Sequence, residues 1–167
     1  MSDTDDFVAA TRAVLTCDLN IRALDYWNKQ RGDRVMPARA DLDPADIMNI
    51  LPNVILLDVK PEPLDFRYRL IGAAITNNLN SDLSGQWMRD IPYQAPPSLI
   101  HGACRRVFEE RHPISSNVPY VGPNKDFFVA EDVIMPLSVD GKAVNMLLIT
   151  VDYLQNKFGY FSPQRYH

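Results

Sequence analysis

The chain has 167 residues, 46% of them hydrophobic, and a formal net charge of −4. This length and composition predict one domain with its own core. Scattered charges of both signs give a nucleic-acid or acidic-membrane partner no electrostatic support. No apolar run approaches the roughly 20 residues of a membrane span, and the acidic start is unlike a secretion signal. We therefore expect a cytoplasmic protein with neither nucleic-acid nor membrane partners.

Residues 1–31 are predicted to form an N-terminal helical extension. Apolar residues recur at helical spacing from Asp5 to about Cys17, and a second apolar stripe runs from Asp18 to about Arg31, where a glycine follows. Each pattern is typical of an amphipathic helix, whose apolar face needs a partner. We expect these helices to cover a sheet or to mediate a homodimer.

Residues 32–153 are predicted to form the main domain, followed by a C-terminal tail over 154–167. The domain opens with a connector in which Asp43 precedes a proline, the pattern of a helix N-cap. Asp41 and Asp43 are too few for a metal site, which wants three or more converging oxygen ligands. We predict that Asp43 caps a short helix and that Asp41 pairs with Arg39.

Five strands are predicted, in two groups that helices separate. An apolar run at 53–60 and the alternating FRYRLIG at 66–72 predict an antiparallel hairpin whose arginines pair across the strands. Broken helical turns follow, and then a longer helix over 97–111. The last strands are ISSNVPYV, DFFVAEDVIMPLSV and AVNMLLITVDYL, with an Asp-Gly turn between the last two. The fold class is α+β, with helices on one face of an antiparallel sheet and the N-terminal helices in addition.

Four motifs of the chain occur together in a known family. They are PARADLDP in the connector, Leu-Pro before the first strand, Arg-x-Arg-Leu-x-Gly in the second strand, and DLSGQ after it. Over residues 24–151 the chain resembles small bacterial single-domain proteins with the PAS fold, although it lacks a glycine between Asn77 and Asn80 where the family pattern has one. The resemblance implies a five-stranded antiparallel sheet. It also implies a non-enzymatic sensory or adaptor module in signalling, which binds a small ligand, a protein partner or both.

The candidate ligand pocket lies between the predicted sheet and the middle helices. Polar Thr76 and Asn77 among apolar neighbours, together with adaptable methionines, favour a partial cavity over a filled core. The candidate lining residues are Tyr68, Leu70, Ile75, Thr76, Asn77, Leu79, Trp87, Ile100, His101, Cys104, Phe108, Met146 and Leu148.

The cofactor is unknown from the sequence. The resemblance makes His101 a candidate haem ligand, since haem-binding relatives in the wider PAS fold take their ligand from the long helix. A single histidine without a supporting partner is nevertheless more typical of the edge of an apolar stripe. Cys17 and Cys104 lie far apart in helical surroundings and are predicted to be reduced, small hydrophobic residues.

Two other functions remain open. One is a cone-shaped α+β enzyme in which Asp82 and His101 form an acid/base pair within a pocket. The chain carries none of the common nucleophile, phosphate-binding or zinc motifs, and we predict no catalytic or metal-ligating residue. The other is a protein-interaction domain with a filled core, which a cavity would argue against.

Overall fold

The computed structural model describes residues 2–116 and 127–155, and the tail beyond residue 155 lies outside this part of the chain. Its α-helices are α1 (Asp3–Val14), α2 (Asp18–Arg31), α3 (Ala73–Leu79) and α4 (Leu99–Glu110). Its strands are β1 (Val54–Pro61), β2 (Leu64–Ile71), β3 (Phe127–Leu137) and β4 (Met146–Gln155). Short 3-10 turns lie at Arg39–Asp41, Pro44–Ile47, Leu51–Asn53 and Met88–Asp90. No helix of the described residues is long and apolar enough to cross a membrane.

The strands form one antiparallel sheet in the order β2-β1-β4-β3. This confirms the α+β class, with four strands in the described residues where five are predicted. The other predicted strand, 114–121, lies largely outside the described residues, which end there at residue 116. There Ile114 forms an isolated bridge with Ile134 of β3. This bridge extends the sheet beyond β3, on the side where the predicted strand would continue it.

The N-terminal helices pack on one face of the sheet. The indole Nε1 of Trp27 donates a hydrogen bond of 2.8 Å to the carbonyl of Pro136, and Thr11 Oγ1 donates one of 3.0 Å to the carbonyl of Pro113. Trp27 and Leu24, both on the predicted stripe of α2, are completely buried. The predicted cover on this face therefore comes from the same chain.

A β-bulge interrupts the hairpin of β1 and β2. Tyr68 pairs with Leu57 and Leu70 with Leu56, so Arg69 is an extra residue on β2. An extra residue reverses the side to which the following side chains point. Leu70 therefore lies on the face opposite to Tyr68 and is 42% exposed, which corrects its assignment to the pocket.

The strand β2 ends at a glycine because two backbone segments meet there. The Gly72 N–H donates a 2.7 Å hydrogen bond to the Val54 carbonyl, and a Cβ on Gly72 would lie 2.2 Å from the Pro52 carbonyl oxygen. No side chain fits in that gap. At the other end of α3, Asn80 takes the left-handed conformation at φ 52°, which glycine and asparagine adopt more readily than other residues.

The polar residues of the connector and hairpin have structural partners. The Asp43 carboxylate accepts a hydrogen bond from the Ala45 N–H, as predicted for an N-cap. Asp41 pairs with Arg34 rather than with Arg39, at 2.8 Å between Nη1 and Oδ2. The hairpin arginines pair across the strands as predicted, since Arg67 and Arg69 both contact the Asp58 carboxylate.

Candidate ligand cavity

A cavity of about 440 Å³ lies on the sheet face opposite α1 and α2. The sheet forms its floor, and α3, the start of α4 and the segment before α4 form its walls. The lining residues are Ile55, Tyr68, Ile75, Leu79, Tyr93, Gln94, Pro97, Ser98, Leu99, Ile100, Ala130, Asp132, Val151 and Tyr153. Most of this surface is aliphatic or aromatic. Its volume falls within the range of small-molecule sites in proteins.

Alternation along the strands decides which residues form the floor. Val151 and Tyr153 line the cavity, whereas Thr150 points to the other face and donates a 2.8 Å hydrogen bond from Oγ1 to Oδ1 of Asn20 in α2. Side chains two residues apart share a face. Met146 and Leu148 therefore lie with Thr150 on the face of the N-terminal helices, outside the cavity.

A neutral polar pair interrupts the apolar wall. The buried Tyr68 hydroxyl donates a 2.6 Å hydrogen bond to Oε1 of Gln94, and burial raises the pKa of Tyr68 well above its usual value. Ser98 Oγ donates to the Gln94 carbonyl at 2.5 Å and accepts from the His101 N–H at 3.1 Å, so it also caps α4. These bonds hold the wall between the sheet and α4 in place.

One charged side chain belongs to the lining. Asp132 is 7% exposed, and its Oδ1 accepts a 2.7 Å hydrogen bond from the Ser116 N–H while Oδ2 accepts from the Ser116 hydroxyl. Burial raises the pKa of Asp132, although the bonds from Ser116 favour its charged form. Among the described residues no lysine, arginine or histidine forms an ion pair with it.

Apolar side chains that reach solvent lie at the mouth of the cavity. Tyr93 is 53% exposed and Leu99 is 69% exposed, although both line the cavity. Large exposed apolar residues that surround an opening are typical of binding sites. These two exposed residues lie at the start of α4 and in the segment before it.

Four of the predicted lining residues line the cavity: Tyr68, Ile75, Leu79 and Ile100. The others, placed elsewhere, are Leu70, Thr76, Asn77, Trp87, His101, Cys104, Phe108, Met146 and Leu148. Asn77 is exposed, Thr76 is half-buried on α3, and Phe108 is half-buried near the end of α4. Trp87 pairs with the outer edge of β2, where the Arg67 guanidinium lies 5.4 Å from its ring centre.

His101 is buried more deeply than predicted. His101, Cys104 and Val107 are the buried residues of α4, and His101 lies at one edge of this face but is only 2% exposed. Cys104 is fully buried, and burial raises the pKa of its thiol well above the usual value. Neither residue reaches the cavity.

His101 faces a buried carboxylate instead of a pocket. Its Nε2 lies 3.7 Å from Oδ1 of Asp65, has no hydrogen-bond partner among the described residues, and burial lowers its pKa. Asp65 also accepts from Arg89 Nε at 3.1 Å. The proposed acid/base pair is therefore not formed, because Asp82 is an exposed residue whose carboxylate accepts from the Ser84 N–H.

The cavity gives no support to haem ligation through His101. Its described lining residues include no histidine, cysteine or methionine, and tyrosine is the one type among them that serves as an axial ligand in some haem proteins. The described part of the chain also holds no cluster of three or more His, Cys, Asp or Glu residues that could bind a metal ion.

Several lining residues were missed by the sequence interpretation. The proline-rich stretch PYQAPP, which the sequence predicts to be a linker, supplies Tyr93, Gln94 and Pro97, and Ser98 from the start of the predicted long helix also lines the cavity. The sequence does indicate Asp132 as a possible lining residue. Glu131 and Asp132 are consecutive in a buried strand, so their side chains must point to opposite faces of the sheet. One of the pair therefore had to face the side with the cavity.

Comparison with known proteins defines the class. Residues 16–149 match the sequence model of the family described as PAS domain, and the chain belongs to that family. Its members are typically sensory, non-enzymatic modules. No curated protein matches the chain. Among solved structures, a fungal LOV domain photoreceptor is 15% identical, with a TM-score of 0.45, and the match covers 70% of this chain and 94% of that one.

Proposed function

We propose that this chain is a sensory module that binds a small, largely apolar molecule in the cavity between the sheet and α4. The observation that carries the proposal is the cavity itself, about 440 Å³ in volume. Unfilled apolar space in a core destabilises a protein. A ligand that fills it supplies the missing contacts and stabilises the folded state.

Two features favour this function over the alternatives. A filled-core interaction domain would have no such cavity. An enzyme would need a nucleophile or an acid/base pair within reach of a bound molecule, and the histidine that was the candidate for this role faces Asp65 outside the cavity. The few polar groups of the lining, Tyr68, Gln94, Ser98 and Asp132, suit the orientation of a ligand.

The test is calorimetric titration with 6-phenylhexan-1-ol, an apolar probe with one polar end. We expect saturable binding at one site. Replacing Ala130, on the floor of the cavity, by Trp places a large side chain inside it and should weaken binding about tenfold or more. The matched control is Ala9→Trp on the exposed side of α1, which should bind like the wild type.

Absence of saturable binding to the wild type would overturn the proposal, as would equal weakening by the two tryptophan variants. Val151→Trp, at a second position on the floor, provides an independent variant if Ala130→Trp does not fold. Native mass spectrometry of the protein as purified would then identify a natural ligand by its mass.

A homodimer through the N-terminal helices and a signalling partner stay predictions. The buried faces of α1 and α2 are already used within the chain, so a dimer would use outward residues such as Val14, which is 64% exposed. If Val14 lies in the interface, Val14→Glu should convert a dimer to a monomer in light-scattering chromatography without loss of helical signal. An unchanged dimer would exclude this surface.

A further inference from the structure

The buried charge of Asp132 indicates which class of molecule the cavity would bind. This inference rests on the proposed function. A carboxylate has about four acceptor positions, and Ser116 supplies donors to two of them. The side chain is 7% exposed and lines the cavity. Its remaining acceptor capacity is therefore directed to the space that a ligand would occupy.

A buried charge is costly unless an opposite charge accompanies it. In the described residues no basic side chain forms an ion pair with Asp132, and the neighbouring carboxylate of Glu131 adds repulsion that raises its pKa further. Within the described residues, Asp132 is therefore a negative charge without an opposite charge beside it, in a cavity whose other described lining residues are neutral. A metal ion does not fit there, since no cluster of metal-ligating residues occurs in the part of the chain that is described.

We infer that the cavity selects an apolar molecule that carries one protonated amine, and that the Asp132 carboxylate accepts a hydrogen bond from this amine. An ammonium group provides both the positive charge and the N–H donors that the carboxylate lacks. The apolar part of the molecule contacts the aliphatic and aromatic wall. A fatty acid of the same length is disfavoured, because its carboxylate would meet Asp132.

Three probes with one skeleton separate the effect of the charge from that of the apolar wall. They are 6-phenylhexan-1-amine, 6-phenylhexan-1-ol and 6-phenylhexanoic acid, titrated calorimetrically at pH 7.5. We expect the wild type to bind the amine about tenfold more tightly than the alcohol, and the acid most weakly. This comparison needs no variant and so does not depend on the folding of one.

Asp132→Asn removes the charge and keeps the shape of the side chain, so the amine and the alcohol should bind it equally. Asp82→Asn is the matched control, since it makes the same change of net charge at an exposed residue outside the cavity. The control should retain the preference for the amine.

Equal binding of amine and alcohol to the wild type would overturn the inference and leave the proposed function standing. The same conclusion follows if Asp132→Asn and Asp82→Asn have equal effects on the preference. If none of the three probes binds the wild type, both the inference and the proposed function fail.

Discussion

The two faces of the sheet differ most clearly at two neighbouring residues of β3. Glu131 points to the N-terminal helices, where its carboxylate accepts from the N–H groups of Thr16 and Cys17, from the Thr16 hydroxyl and from the amide of Asn20. Asp132 points to the cavity and has Ser116 alone as its described hydrogen-bond donor. Two adjacent carboxylates thus have opposite environments.

Their pKa values reflect this difference. Burial opposes the charge of Glu131, but its several donors outweigh burial and lower the pKa to about 2. Burial raises the pKa of Asp132. A fully satisfied carboxylate joins elements of structure, whereas an uncompensated one is costly to keep and is typical of a functional site. The carboxylate on one face therefore supports the fold, whereas the carboxylate on the other face lies in the proposed ligand site.

The largest expected effect is the loss of stability when a leucine on each face is replaced by alanine. Leu24 is completely buried on the filled face, and Leu79 is half-buried at the cavity wall. We expect Leu24→Ala to lower the free energy of unfolding by about 3 kcal/mol and Leu79→Ala by about 1 kcal/mol. Urea denaturation measures both, and equal losses would contradict the distinction between the faces.

Glu131→Gln should have the next largest effect. The folded pKa of about 2 lies below the ordinary value of 4.5, so the charged form stabilises the fold above about pH 5. That contribution is lost as the pH falls toward 2. We expect a loss of about 2 kcal/mol at pH 7 that disappears near pH 2.

Urea denaturation across this pH range tests the prediction for Glu131. The exposed Glu109 provides a matched control, since Glu109→Gln should change the free energy of unfolding by less than about 0.5 kcal/mol. A cost for Glu131→Gln that does not depend on pH would mean that the charge of Glu131 is not what holds the start of α2.

Tyr68→Phe should lower the free energy of unfolding by less than Glu131→Gln does, because water in the cavity beside Gln94 can replace the lost hydroxyl. We expect a decrease of about 1 kcal/mol or less in the free energy of unfolding. Tyr93→Phe, at the exposed rim, should have no measurable effect. A loss above about 2 kcal/mol for Tyr68→Phe would indicate a dry, tightly packed site.

The smallest expected effect is a gain in the free energy of unfolding, for Asp132→Asn. The raised pKa of Asp132 means that its charged form is disfavoured by folding, so stability falls as the pH rises through the ordinary value and then the folded value. Asp132→Asn removes this penalty, and we expect a gain of about 0.5 kcal/mol at pH 7 in the free protein. A clear loss of stability would show that Asp132 serves the fold itself.

The sequence predicts the elements of this fold better than it predicts the site. Periodicity located β1, β2, α2 and α4, because each buries a regular face. It failed for Leu70, since the β-bulge at Arg69 depends on pairing with β1 and leaves no mark on the alternation. On α4 the sequence predicts His101 at the edge of the apolar stripe but not its complete burial, because that depends on its packing beside Asp65.

The sequence predicts that a cavity lies between the sheet and the middle helices, but it identifies only some of the residues that line it. The sequence correctly predicts Tyr68 and Ile75 as lining residues, because they lie where β2 leads into α3. It does not predict Gln94, because a proline-rich stretch gives no periodicity from which to infer a wall. Met146 and Leu148 were placed on the wrong face, since a strand that is apolar on both sides does not reveal which side holds the cavity.

The central claim is that one face of the sheet is a ligand site and the other a filled core. It is tested most directly by titrating 6-phenylhexan-1-ol into ¹⁵N-labelled protein and recording amide chemical shifts. We expect the largest changes in α3, in the segment 93–100 and in Val151–Tyr153, with Asn20 and Trp27 unchanged. Changes centred on α2, or spread evenly over both faces, would contradict the account.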